Sequence, residues 1–149
     1  MVFAATLDAE KFANDFWICD SGVSSRYCVL DRGMFDVREI NENIRVGNVD
    51  ILMATKIGSL KFKVIQIDGS TFDIILHDVK FVPDLWVNLF SINQALKKVH
   101  KVSNDKITIL LSKGSSRITF DRVFKAKDGT VSGIKMMAYD NPVVYNTMN

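Results

Sequence analysis

A chain of 149 residues, 48% apolar and 24% charged, has the size and balance of one globular domain with a core of its own. Its net charge of +2 is too small to mark a nucleic-acid or acidic-membrane binder, and no apolar run is long enough to span a bilayer. Two cysteines (Cys19, Cys28) and two histidines (His77, His100), with no C-x-x-C, leave no disulfide framework and make a zinc site improbable; no metal, cofactor, nucleic-acid or membrane partner is expected.

β-Branched and aromatic residues dominate the apolar set and only Pro83 and Pro142 occur, which predicts an all-β domain with little helix. The N-terminus lacks a basic region followed by a sustained apolar one, so it does not read as a secretory signal, and an intracellular, reduced setting is expected. Residues 1–15 read as a lead-in, 16–140 as the domain and 141–149 as a polar tail.

The first strand, Phe16 to Cys19, runs straight into Asp20-Ser21-Gly22. A carboxylate directly after a buried strand is costly unless it is hydrogen-bonded or needed, and Gly22 lets the backbone turn tightly. Taken alone, Asp-Ser-Gly is more often a plain turn. Residues 23–43 are polar and irregular, a loop with a short strand near Met34 to Val37. Ile44 to Val46 and Val49 to Thr55 flank Gly47-Asn48 as a hairpin, and Gly58 suggests a bulge. Lys61 to Ile67 and Thr71 to Val82 flank Asp68-Gly69, the strongest hairpin signal in the chain.

Pro83 breaks the strand. Leu89, Ile92, Leu96 and Val99 then fall at helical spacing, with Asn88 or Ser91 as N-cap and Gln94 completing a capping box with Ser91, which predicts one helix over 88–99. Lys97, Lys98 and Lys101 suit its C-terminal end. Beyond it, Ile107 to Leu111, Arg117 to Phe120, Val123 to Ala126 and Val131 to Ala138 read as strands, joined by turns at Lys113-Gly114-Ser115 and Asp128-Gly129-Thr130.

Trp17-Ile18-Cys19-Asp20-Ser21-Gly22-Val23-Ser24 and, later, Val82-Pro83-Asp84-Leu85-Trp86-Val87-Asn88-Leu89-Phe90-Ser91 together resemble the protease region of Ty1/copia-type retrotransposon polyproteins, whose members read W-x-x-D-S-G-A-S and then V-P-x-L-x-x-N-L-L-S. The resemblance covers roughly residues 16–138. Val23 stands where alanine is usual and Arg26-Tyr27 where histidine is frequent; retroviral relatives carry an apolar-apolar-glycine triplet before their helix, and Trp86-Val87-Asn88 stands there.

The resemblance implies a retropepsin-like acid protease fold: a closed, orthogonal β-barrel-like protomer with one short helix and extra C-terminal strands. It implies an aspartic endopeptidase of a Gag-Pol polyprotein, acting on extended peptide in the cytoplasm, virus-like particles included. Asp20 would be catalytic, Ser21, Gly22 and Ser24 would support its loop, and Val46, Gly47, Asn48 and Val49 would form the flap. Such chemistry needs two carboxylates sharing a proton across one water. The chain holds one D-[ST]-G, so the second aspartate would come from a second copy in a C2 homodimer. The strands after the helix would then build much of the interface. Cys19 is expected to face the core as an inert thiol and Trp86 to pack in the core or mark an interface. Two other readings stay open: a catalytically silent retropepsin-like dimerisation or peptide-binding module, and a plain β-sandwich or barrel in which Asp20-Ser21-Gly22 is only a turn.

Overall fold

The computed structural model describes residues 14–20, 23, 25–46, 50–91, 99–103, 106–110, 117–126 and 129–140. Every regular element among them is a strand: β1 (Phe16–Asp20), β2 (Arg26–Cys28), β3 (Phe35–Val46), β4 (Asp50–Ile65), β5 (Thr71–Phe81), β6 (Asn88–Ser91), β7 (Val99–Ser103), β8 (Lys106–Leu110), β9 (Arg117–Phe120), β10 (Arg122–Ala126) and β11 (Gly129–Ala138).

Pairing closes six of these strands into a ring. β11 lies antiparallel to β1, β1 parallel to β6, β6 antiparallel to β2 and β2 parallel to β5. β5 is antiparallel to β4, which returns antiparallel to β11. Gly133 pairs with both Arg122 and Ile18, and Lys135 with both Phe16 and Ile65, so β1 takes one edge of β11 while β10 and then β4 share the other. The fold is thus all-β and barrel-like, as its β-branched, aromatic-rich composition predicts, and closure leaves no edge on the ring strands. β3 and β10 extend the sheet outside the ring, and β7, β8 and β9 form a separate three-stranded sheet.

The alternation of side chains along each strand divides the apolar residues into two clusters. The first draws on all six ring strands, with Trp17, Cys19, Cys28, Phe62, Leu76, Phe90 and Ile134 among its members, and therefore fills the barrel. Ile118 and Phe120 of β9 join it, Phe120 meeting Phe90 edge-on at 5.3 Å, and Trp17 meets Phe62 edge-on at 5.4 Å. The second cluster lies on the outer face of the wall: Ile18, Tyr27 and Leu89 from β1, β2 and β6, covered by Ile44, Val46 and Ala54 of the β3–β4 hairpin and by Val82, Leu85 and Val87.

Three expectations change. Residues 88–91 are a strand rather than the start of a helix; 92–98 lie outside the described residues, and Val99 opens β7. Leu89 faces the outer cluster and Phe90 the barrel, so this segment is buried on both sides, and a short apolar run of that kind has the same pattern in a helix or a strand. The polar stretch 23–43 contains β2 and most of β3. Val49 to Thr55, where described, and Lys61 to Ile65 belong to one strand of 16 residues, β4, while Gln66 and Ile67 lie beyond its end. The bulge anticipated at Gly58 is present and involves three strands. Register slips beside Gly58-Ser59 on both flanks, between Phe35 and Arg38 of β3 and opposite His77 and Asp78 of β5, and Asp36 (φ 52°) and Asp78 (φ 56°) take the left-handed conformation there.

The Asp68-Gly69 turn is present as expected, with Gly69 at φ 91°, its amide donating to the Gln66 carbonyl, and the Asp68 carboxylate accepting from the Ser70 amide at 2.8 Å. Of the C-terminal strands, β11 completes the ring, and β9 adds to its core.

Candidate active site

Asp20 ends β1 in parallel register with Ser91 at the end of β6. Trp17 and Cys19 point into the barrel and Ile18 into the outer cluster, so Asp20 leaves the wall outward, on the side that the distal half of the β3–β4 hairpin covers. It is 0% exposed, and Ser91 beside it is 1% exposed. The Ser91 hydroxyl donates to the Val23 carbonyl at 2.8 Å and thereby ties down the chain three residues beyond the aspartate.

The other end of β6 is held by a second polar side chain. Asn88 is buried, its amide nitrogen donating to the Asn14 carbonyl at 2.5 Å and to the Phe16 carbonyl at 3.1 Å, while its oxygen accepts from the Val29 amide at 2.9 Å. The four residues of β6 thus hold β1 by backbone pairing from Trp17 to Asp20 and by the Asn88 side chain at its start, while Ser91 holds the chain beyond its end. The apolar-apolar-small run alongside the aspartate is Leu89-Phe90-Ser91, three residues past the Trp86-Val87-Asn88 expected from the sequence. Trp86 itself is half-buried against the outer cluster.

Arg26, where the resemblance leads one to expect histidine, holds its guanidinium 5.2 Å over the Phe90 ring and donates to the His77 carbonyl at the β5 bulge, at 3.0 Å. Burial lowers its pKa, opposed by the nearby Asp78 carboxylate. The Cys19 thiol faces the barrel and is pushed up to about 12 by burial, with the Asp20 carboxylate adding to the shift, so it is inert as a nucleophile at neutral pH, as expected.

Of the residues expected at the site, the structure places Asp20 on the face beneath the hairpin that carries Val46, itself buried and paired with Asp50. Ser21, Gly22, Ser24, Gly47, Asn48 and Val49 lie outside the described residues. The helical spacing from Leu89 makes Asn88 or Ser91 a helix cap and hides both roles; the same tetrapeptide in a strand puts them at its two ends. A cleft of about 220 Å³ opens at the other end of β1, between Asn14, Trp17, Phe62, Met136 and the Arg32–Asp140 ion pair, away from the aspartate. Among the described residues no group of three His, Cys, Asp or Glu side chains is placed to hold a metal ion.

A family model described as the β-barrel domain of Pol polyproteins matches residues 17–100, more than half of the chain and the stretch from β1 into β7 that contains Asp20, the β3–β4 hairpin and Ser91. No curated protein and no solved structure matches the chain.

Proposed function

Because this chain belongs to the Pol polyprotein β-barrel domain family, we propose that it is the aspartic endopeptidase of a retroelement Pol polyprotein, of the copia type that its two motifs resemble. One observation carries the reading. Asp20, which opens the only D-S-G of the chain, ends a strand that pairs in parallel with β6, and it lies on the face covered by the distal half of the β3–β4 hairpin.

One carboxylate per chain makes the working unit a C2 dimer with two Asp20 side chains facing each other across the axis. At that distance they share a proton. The ionised one takes a proton from the water that attacks the peptide carbonyl, and the protonated one polarises the carbonyl oxygen. The dyad titrates as a unit. Substrate binds as an extended strand, with pockets for alternate side chains. In the single chain Asp20 is sealed, so the distal half of the hairpin, around Val46, lifts to admit both the peptide and the second Asp20.

The test compares the wild-type chain with Asp20→Asn on a library of apolar peptides at mildly acidic pH, with sedimentation run in parallel. Wild type should cleave, pepstatin should inhibit it, and Asp20→Asn should keep the fold and the dimer but lose cleavage. Cleavage by Asp20→Asn would end the proposal. A wild type that dimerises and binds peptide without cutting it would make the domain a silent binding module.

A further inference from the structure

We infer that Ser91 is a positioning residue for Asp20, acting through the Val23 carbonyl; the inference rests on the protease reading above. Its argument starts from register. Parallel partners on adjacent strands send their side chains to the same face, so Asp20 and Ser91 leave the barrel wall side by side, with Ile18 and Leu89 below them in the outer cluster. Strand neighbours lie about 4.8 Å apart. Beside the fully buried Asp20, serine supplies a hydroxyl at small volume.

That hydroxyl is spent on a specific atom. It donates to the Val23 carbonyl at 2.8 Å, where both residues are buried. Val23 lies outside the described strands, and a buried carbonyl needs a donor, which the Ser91 hydroxyl supplies. The bond spans from β6 to the point where the chain returns after Asp20, Ser21 and Gly22. The aspartate is thereby anchored on both sides, by ladder pairing up to Asp20 and by the Ser91 hydroxyl at Val23. Without the second anchor the segment can pivot about the end of β1. Two carboxylates that must share one proton across a two-fold axis tolerate little such movement.

Ser91→Ala and Ser91→Thr separate this role from simple stability. Ser91→Ala removes one oxygen and leaves the packing volume almost unchanged. Hydrogen exchange of the segment 19–26, read by mass spectrometry, should rise in Ser91→Ala and return toward wild type in Ser91→Thr. For a peptide that wild type cleaves, kcat of Ser91→Ala should fall about 100-fold, the scale of a misplaced catalytic group, with KM unchanged. Ser91→Thr, checked by melting for an intact fold, should recover most of kcat.

Wild-type kcat in Ser91→Ala would overturn the inference while leaving the protease reading intact. So would a loss of kcat that a folded Ser91→Thr fails to recover, since a structural role needs no hydroxyl. If wild type cleaves nothing, the protease reading itself fails. The exchange comparison then stands alone, and unchanged exchange in Ser91→Ala would show that the hydroxyl does not hold the segment.

Discussion

Asn88 spends one side-chain amide on three backbone groups from two parts of the chain, the lead into β1 and the residue after β2. Replacing it with leucine keeps the volume but leaves the Val29 amide and two carbonyls without this partner. A buried unpaired group costs about 1–3 kcal/mol. Asn88→Leu should therefore lower the unfolding free energy by roughly 2–4 kcal/mol, read as a shift in urea midpoint at constant slope. The two thiols make a second prediction at this scale. Burial pushes both Cys19 and Cys28 up to about 12 from the ordinary 9.0, with Asp20 and Asp31 respectively adding to the shift. Above pH 9 the unfolded chain releases protons that the folded chain keeps, so fewer protons are bound unfolded and stability falls as pH rises from 9 toward about 12. The difference in urea midpoint from a Cys19→Ala, Cys28→Ala double variant should shrink across that window. Asp20 was legible in the sequence because an acid after an apolar strand is conspicuous. Ser91 and Asn88 were visible as polar residues, but what they bond became apparent only with the strand that flanks them.

Among the elements, the turn between β4 and β5 is locked to the corner between β9 and β10. The Asp121 carboxylate accepts from the Gln66 side chain at 2.9 Å and from the Ile67 amide at 2.8 Å, and the Gln66 amide group also bonds both the carbonyl and the amide of Thr119. Arg122 reaches the Ile65 carbonyl and lies 5.7 Å over Phe16. This latch joins strands far apart in sequence, so Asp121→Ala should destabilise the fold by about 1 kcal/mol through the lost hydrogen bonds to Gln66 and Ile67, with faster exchange at residues 65–70. Near the start of β3, Gly33 sits at φ 83°, where an added Cβ would come within 2.0 Å of the Tyr139 carbonyl oxygen. Gly33→Ala should cost at least about 2 kcal/mol, from left-handed strain and the displaced backbone together; its melting temperature checks this. The Asp68-Gly69 hairpin could be read because its turn chemistry is local. β2 could not, since three residues in a polar stretch carry no pattern, and only pairing with β5 and β6 makes them a strand.

For the molecule as a whole, the ring matters more than any one strand. β1 and β6, and β2 and β5, pair in parallel, and parallel strands need long crossovers, so the wall is built from segments well separated along the chain. Composition made the all-β class legible. Closure was not, because it depends on β11 pairing with β1 and β4 on opposite edges, and nothing local in residues 129–138 records those partners. A chain ending before Gly129 should lose cooperative melting, since two ring strands then carry open edges and Ile134 and Met136 leave the core; near-ultraviolet dichroism on heating would show it.

The position of β11 also sets a schedule. On the ribosome β1 emerges first, yet its antiparallel neighbour arrives only when synthesis has passed Lys135. At about 5–20 residues per second the interval is on the order of seconds to tens of seconds. During it the segment bearing Asp20 has an unfinished wall beside it. If the domain is the protease proposed here, a growing polyprotein cannot cut itself while this stretch is being made. On that reading self-processing would wait until translation has moved beyond the domain, and the order of synthesis would protect the precursor from its own enzyme.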